Sequence, residues 1–95
     1  MTEGKTKSGI KFAVDERIKN DVRFLYKISK VQNTALADEE RNGALFEVLD
    51  FVFGGTEGME AFMDAVASAN DGVCSIDAMT AELTEIFEAL NAKNS

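Results

Sequence analysis

Four stretches with apolar residues at three- and four-residue intervals constrain the fold of this chain most strongly. In the second stretch, Leu45, Val48 and Leu49 begin this spacing, and Val52 and Phe53 continue it. Such a spacing places the apolar side chains on one face of an α-helix. No proline occurs among the 95 residues, so nothing interrupts a helix from within. The sequence predicts a mainly α fold, a small four-helix bundle, with helices over residues 16–31, 38–53, 57–69 and 76–91.

Short segments outside these helices carry other patterns. Residues 10–14 alternate apolar and polar side chains, which is typical of a short half-buried strand. Val73-Cys74 is a candidate partner for it, so at most one short N-terminal strand or strand pair accompanies the helices. The polar residues 1–9 and 92–95 are expected to be flexible tails on either side of a single helical domain over residues 10–91.

The predicted helices have opposed apolar and charged faces. On the first helix, with Asp15 as its N-cap, Ile18, Val22 and Leu25 lie within about 60° of one another and are expected to face the core. Phe24, Ile28 and Val31 widen this stripe on one side. Its opposite face carries Lys19, Arg23, Lys27 and Lys30. On the fourth helix, capped by Ser75, the apolar stripe consists of Ile76, Met79, Leu83, Ile86, Phe87 and Leu90. Three acidic residues lie roughly opposite that stripe, namely Glu82, Glu85 and Glu88.

Residue types needed for common catalytic and metal sites are scarce. The chain has no histidine and one cysteine, Cys74, which excludes histidine-based catalysis and a cysteine zinc cluster. Nearly every carboxylate lies at a predicted helix start or on a polar helix face, where charged side chains are solvated. We therefore expect a protein that is not an enzyme, without cofactor or metal, in which Cys74 is a buried and unreactive thiol.

The net charge of −7 belongs to the second half of the chain. Residues 1–55 carry nine acidic and nine basic side chains, whereas residues 56–95 carry eight acidic ones and only Lys93. This balance disfavours binding to nucleic acid or to an anionic membrane, both of which require a basic surface. No apolar run exceeds three residues, which is too short for a membrane-spanning helix or a signal peptide. We expect a soluble cytoplasmic protein.

Two groups of residues are candidates for binding a partner protein. The apolar group consists of Phe46, Phe51, Met59 and Met63, because the phenylalanines flank the second helix stripe and methionine suits an adaptable groove. The alternative is that the second helix is buried nearly all round and that these side chains are core. The basic group consists of Lys19, Arg23, Lys27 and Lys30. It would bind an acidic partner, or the acidic fourth helix of a second copy in a homo-oligomer, unless this face is simply solvated.

The order of several short motifs resembles a known family. Six segments follow one another: IKFAVDE (residues 10–16), NDVRFL (20–25), FGG (53–55), DGVCS (71–75), ELTEIFE (82–88) and KNS (93–95). Their order, their spacing and the length of the chain resemble the small tail assembly chaperones of long-tailed bacteriophages, in the branch common in phages of Gram-positive bacteria. The resemblance covers residues 10–95.

This resemblance implies a non-enzymatic assembly factor. Such chaperones associate with the long, largely helical tape measure protein and keep it soluble until the tail tube polymerises around it. They also associate with the tail tube (major tail) protein and are absent from the finished virion. The implied partners of this chain are these two proteins, and the implied location is the cytoplasm of an infected or lysogenic bacterial host.

Two other classes of function fit the composition. A DNA-mimic inhibitor would need carboxylates at near-phosphate spacing along an exposed face, of which Glu82, Glu85 and Glu88 supply a short row. A small acidic helical adaptor or regulator of unrelated origin would share the predicted fold. A genomic position directly before a very long, helix-rich reading frame would distinguish the chaperone from both.

Overall fold

The computed structural model describes residues 1–93 and is mainly helical. Within these residues a two-stranded antiparallel sheet precedes four α-helices, which confirms the mainly α class and the short N-terminal strand pair. In chain order the elements are β1 (Thr2–Lys5), β2 (Lys11–Val14), a 3-10 helix (Glu16–Asn20), α1 (Val22–Gln32), α2 (Asp38–Val52), α3 (Thr56–Ala69) and α4 (Ile76–Lys93). The predicted tail over residues 92–95 is helical through Lys93, and residues 94–95 lie outside the described part.

Contacts between residues group the chain into two compact units. The terminal unit contains Met1–Glu16 and the described residues from Glu60 onward, and the central unit contains Arg17–Met59. The sequence predicts one helical domain over residues 10–91. None of the helices in the described chain is long and apolar enough to cross a membrane.

A β-hairpin opens the terminal unit. Residues 2–5 pair antiparallel with residues 11–14, so that Thr2 lies opposite Val14. Two hydrogen bonds between Thr6 and Ile10 close the turn. The Thr6 backbone N–H donates to the Ile10 carbonyl at 2.9 Å, and Thr6 Oγ1 accepts from the Ile10 N–H at 3.2 Å. The positive φ of Gly9, 90°, completes the reversal. Glycine adopts this conformation without strain.

The hairpin corrects two predictions. The flexible tail expected over residues 1–9 is wrong for residues 2–5, which form β1. The partner of the predicted strand is therefore β1 rather than Val73-Cys74. A single strand leaves its backbone N–H and C=O groups unpaired, and the polar, glycine-containing segment after Lys5 is typical of a hairpin turn rather than a chain end.

Apolar residues of the hairpin, α3 and α4 form the core of the terminal unit. Its buried side chains are Ile10, Val14, Phe62, Val66, Met79, Leu83, Ile86 and Leu90. Four members of the predicted fourth helix stripe are buried, whereas Phe87 is half-buried and Ile76 is exposed. The predicted cap is also confirmed, because Ser75 Oγ accepts from the Ala78 N–H at 3.1 Å. Burial of these apolar side chains stabilises the unit.

The first helix begins later than its sequence predicts. Residues 16–20 form a 3-10 helix, and α1 starts at Val22 with Asp21 as its N-cap. The Asp21 carboxylate accepts from the Arg23 N–H at 2.9 Å and also binds the Arg23 guanidinium through two side-chain hydrogen bonds. Asp15 is therefore not the cap of α1. Both aspartates are suitable by type and both have an arginine two residues later, so the sequence pattern does not separate them; in the structure a 3-10 helix follows Asp15, and Asp21 caps α1.

The buried face of α1 also differs from the prediction. Val22 is 75% exposed and Leu25 is 50% exposed, whereas Phe24 is 7% exposed. Phe24 faces α2, against which α1 packs within the central unit. Ile28 and Val31, which share its face of the helix, are half-buried. The predicted centre of the stripe is thus wrong by about one residue step of 100°, and part of the α1 apolar surface is left exposed.

The second helix agrees closely with its prediction. It runs from Asp38, and its buried residues are Ala44, Leu45, Val48, Leu49 and Val52. Three acidic residues occupy its first turn, where they complement the helix dipole. Its end is fixed by the Gly55 N–H, which donates to the Asp50 carbonyl at 2.9 Å. Gly54 has a φ of 76° there, as the sequence predicts for a glycine C-cap.

Replacing glycine with alanine is expected to have opposite effects on stability at two positions of the central unit. A Cβ at Gly43 in α2 meets no atom within 4 Å, whereas a Cβ at Gly58 in α3 would overlap the carbonyl oxygen of Phe53. Gly43→Ala should stabilise the protein by about 0.5–1 kcal/mol, because alanine favours a helix. Gly58→Ala should destabilise it by about 1–3 kcal/mol, because backbone must move. Chemical denaturation of both variants measures the two changes in the free energy of unfolding. If both variants are stabilised, or both destabilised, the described start of α3 is contradicted.

Candidate functional site

Five of the predicted partner-binding residues line one surface groove in the central unit. This central groove has a volume of about 460 Å³ and is lined by Arg23, Lys27, Phe46, Glu47, Asp50, Phe51 and Met59. Two residues come from α1 at i and i+4, four come from α2, and Met59 comes from the first turn of α3. The spacing i, i+4 places side chains on one face of a helix. The groove is therefore built from neighbouring helix faces within one unit.

The floor of the central groove is aromatic. The Phe51 ring stacks on Phe24, with the ring centroids 6.4 Å apart and the planes at 25°. Phe51 is half-buried by this contact, whereas Phe46 is 44% exposed. Full burial of α2 on all sides is thus wrong for Phe46. A large aromatic side chain left this exposed beside a groove is a candidate anchor for another protein.

The walls of the central groove carry both signs of charge. Arg23 lies over the Phe51 ring, with its guanidinium carbon 5.3 Å from the ring centroid. Lys27 pairs with Glu47 across the groove at 3.8 Å. Asp50 adds a second carboxylate from α2. The α1 wall is therefore basic and the α2 wall acidic, and an amphipathic helix that carries both charges on its flanks could satisfy them.

Asp21 controls the position of the arginine in this wall. Arg23 Nη2 lies 2.6 Å from Asp21 Oδ2, and Arg23 Nε donates to Asp21 Oδ1 at 3.0 Å. The hydrogen bonds from the Arg23 side chain and backbone lower the pKa of the Asp21 carboxyl to about 2. The same pair raises the pKa of Arg23. The fork leaves the flat face of the guanidinium available to the Phe51 ring.

Three other candidate residues lie outside the central groove. Met63 belongs to the terminal unit, where it is half-buried. Lys19 lies in the 3-10 helix rather than in α1, so it does not share the α1 face with the other basic residues. Lys30 lies over the Tyr26 ring, with its Nζ 5.2 Å from the centroid. The predicted basic face is therefore divided, and only Arg23 and Lys27 reach the groove.

One glutamate was placed on the wrong face by the sequence pattern. Glu82 is 5% exposed, although the fourth helix prediction assigns it to the side opposite the core. On a helical wheel it lies about 60° from Met79 and about 40° from Ile86, and both of those residues are buried. That proximity was the signal available in the sequence. The acidic face of α4 is consequently shorter than predicted.

Two further groups bear on chemistry. Burial, and secondarily the charge of Asp64, raise the pKa of the Cys74 thiol. A raised pKa disfavours the nucleophilic thiolate. Within residues 1–93, no set of three or more Asp, Glu or Cys side chains is placed to hold a metal ion. The central groove itself offers apolar side chains flanked by charges of both signs.

The chain was compared with protein-family models, curated proteins and solved structures. No protein-family model matches the chain, and no curated protein or solved structure is significantly similar to it.

The pairing of Asp21 with Arg23 predicts a measurable titration. Because the folded pKa of Asp21 is lowered to about 2, its capping contribution is complete above its ordinary pKa of about 3.9 and is lost as the pH falls towards 2. Arg23→Gln should raise the pKa of Asp21 towards the ordinary value while the backbone cap remains. Side-chain carboxyl NMR measures this pKa. An unchanged pKa in the variant would contradict the fork, and Lys19→Gln serves as the control.

Proposed function

We propose that this chain is a tail assembly chaperone of a long-tailed bacteriophage, a small helical bundle that binds the tape measure protein and keeps it soluble until the tail tube polymerises. The proposal includes association with the tail tube protein and absence from the finished virion. Its sequence basis is the motif order over residues 10–95. The observation that carries it is the central groove, in which exposed Phe46 lies beside the aromatic floor.

The chemistry of the central groove suits an amphipathic helix. Such a helix binds by placing its apolar face into an apolar groove, with anchor residues at three- and four-residue intervals. Phe46 and Phe51 supply rigid aromatic surface, and Met59 supplies an adaptable side chain. A thioether adjusts to differently shaped partners. One groove could therefore accept successive segments of a long helical protein.

The charge of the chain supports the solubilising part of this role. A tape measure protein presents many amphipathic segments before its tube exists, and exposed apolar faces aggregate. Many copies of a chain with a net charge of −7 would cover these faces and keep the complexes apart by like-charge repulsion. Weak contacts on neighbouring segments of one partner also gain in avidity.

The two alternative functions make different demands. A DNA-mimic inhibitor needs an exposed carboxylate row, and the burial of Glu82 leaves Glu85 and Glu88 without the third member proposed for it. An unrelated helical adaptor could use the same central groove for another helix. The adaptor is distinguished from the chaperone by its partner, which would not be the product of a neighbouring long reading frame.

Co-expression with the product of the adjacent long, helix-rich reading frame tests the proposal. The wild-type chain should shift that product into the soluble fraction. Phe46→Asp should abolish this shift without unfolding the chain, because the side chain is already 44% exposed and lies in the groove. Leu25→Asp is the matched control, since it adds the same charge to a helix residue that is 50% exposed and does not line the groove. Circular dichroism verifies that both variants fold.

Three outcomes would contradict the proposal. The wild-type chain could fail to solubilise the neighbouring product, or Phe46→Asp could solubilise it as well as the wild type. If Phe46→Asp and Leu25→Asp lose solubilisation of the neighbouring product equally, the added negative charge rather than the groove would explain the loss.

Salt dependence separates apolar binding from phosphate mimicry. The complex should survive about 1 M salt, at which the Debye length falls to about 3 Å and exposed charges are screened. Pulldown of the partner at low and high salt measures this. Release of the partner at high salt would favour the DNA-mimic function instead.

A further inference from the structure

A buried glutamate in the terminal unit is left unexplained by the proposed function. Glu82 is 5% exposed, and its Oε2 has no hydrogen-bond partner within the described chain. A buried carboxylate oxygen without a donor costs free energy, because it has lost its water without replacement. Buried polar atoms of this kind are few in folded proteins. A ligand that carries a hydrogen-bond donor would supply the missing partner.

Glu82 borders a cavity that could admit one. The cavity has a volume of about 150 Å³ and lies between the end of α3, α4 and the hairpin turn. Ala78, Ala81, Glu82 and Glu85 line it from one face of α4, at the helical positions i, i+3, i+4 and i+7. Glu85 is held in place, because its Oε1 accepts from the backbone N–H of Lys7 at 3.1 Å. Two carboxylates thus face a space whose helix walls include alanine methyl groups.

We propose that this cavity binds an alkylammonium group, which is the chemistry of a lysine side chain or a small primary amine. The ammonium carries three N–H donors, one of which would satisfy Glu82 Oε2, and its positive charge suits the pair of carboxylates. The alkyl stem would lie against Ala69, Ala78 and Ala81, which line the cavity. The site is separate from the central groove and does not depend on the proposed function.

An alkylammonium fits these walls better than other cations do. A calcium ion takes six to eight oxygen ligands, and magnesium keeps several waters. Four of the lining residues carry side-chain oxygens, namely Ser8, Asn70, Glu82 and Glu85, and the other four, Val66, Ala69, Ala78 and Ala81, carry none. A hydrocarbon would match the methyl groups but leave Glu82 Oε2 without a donor, and an alcohol would supply a donor without the opposite charge. A ligand with an apolar stem and a cationic donor satisfies both features.

An NMR titration of the full chain at low salt tests the proposal. n-Butylammonium should produce saturable amide shifts in residues 66–70 and 78–85, with half-saturation in the millimolar range expected of so small a ligand. n-Butanol should bind at least about tenfold more weakly, because it lacks the charge. Equal binding of the alcohol, no saturable shift, or tighter binding of calcium or magnesium at the same amides would overturn the proposal.

Two variants of α4 locate the binding on one side chain. Glu82→Gln keeps the shape and should weaken n-butylammonium binding at least about tenfold. Glu88→Gln, which removes the same charge from an exposed position of the same helix, should leave it unchanged. Equal weakening in both would indicate a general effect of net charge and overturn the assignment. If Glu82→Gln does not fold, the comparison of n-butylammonium with n-butanol in the wild type still decides whether the cavity prefers the cationic ligand.

Two further titrations identify the source of the ammonium group. The first titration compares a blocked Gly-Lys-Gly peptide with its acetyl-lysine form. If the lysine peptide binds at least as tightly as n-butylammonium and the acetylated peptide does not bind, the site is assigned to a lysine of a partner protein. Binding of the free amine alone would assign it to a small molecule. The Lys7→Met variant tests the lysine whose backbone N–H binds Glu85. If n-butylammonium binds only after Lys7 is removed, the occupant is this chain itself, and an external ligand is ruled out.

Discussion

The packing of α1 on α2 is the constraint on which the rest of the central unit depends. Asp21 caps α1, and the buried Phe24 lies on the face that α1 presents to α2. In this rotation Phe24 stacks on Phe51 and Arg23 lies over the Phe51 ring. Rotation of α1 by one residue step would turn these side chains by about 100°. The aromatic floor and the basic wall of the central groove therefore both follow from this packing.

Rotation of α1 also explains why this small chain keeps apolar surface in solvent. Val22, Leu25 and Tyr26 are all exposed on α1, and Phe46 is exposed on α2. Isolated apolar side chains at a surface are ordinary. Phe46 differs because it borders a groove with an aromatic floor and charges of both signs. This combination, rather than exposure alone, is the physical basis for proposing that the groove holds a helix of a larger partner.

Much of the fold follows from patterns that are local in sequence. The extents of α2 and α3, the glycine end of α2 and the Ser75 cap were predictable, because helical spacing and capping chemistry act over a few residues. β1 was not, since residues 2–5 (TEGK) show no apolar alternation and become a strand only by pairing with β2. The choice between Asp15 and Asp21 as the cap of α1 was not predictable either, because both are suitable cap residues followed by an arginine two residues later.

The candidate site was predictable in part for the same reason. Helix geometry identified Phe46, Phe51, Arg23 and Lys27 as side chains off the core stripes. It could not bring them together, because their meeting depends on how α1 packs against α2. The division of the basic face and the burial of Glu82 likewise arise from packing between elements. Sequence patterns therefore supplied the chemistry of the site, and tertiary packing supplied its geometry.

Mapping the contact surface of a bound tape measure segment tests the central claim most directly. A synthetic amphipathic helix from the adjacent long reading frame would be titrated into the isotope-labelled chain, and amide and methyl shifts recorded. The account predicts the largest changes at Phe46, Phe51 and Met59. Changes confined to the exposed face of α1, at Val22, Leu25 and Tyr26, or no changes at all, would contradict it.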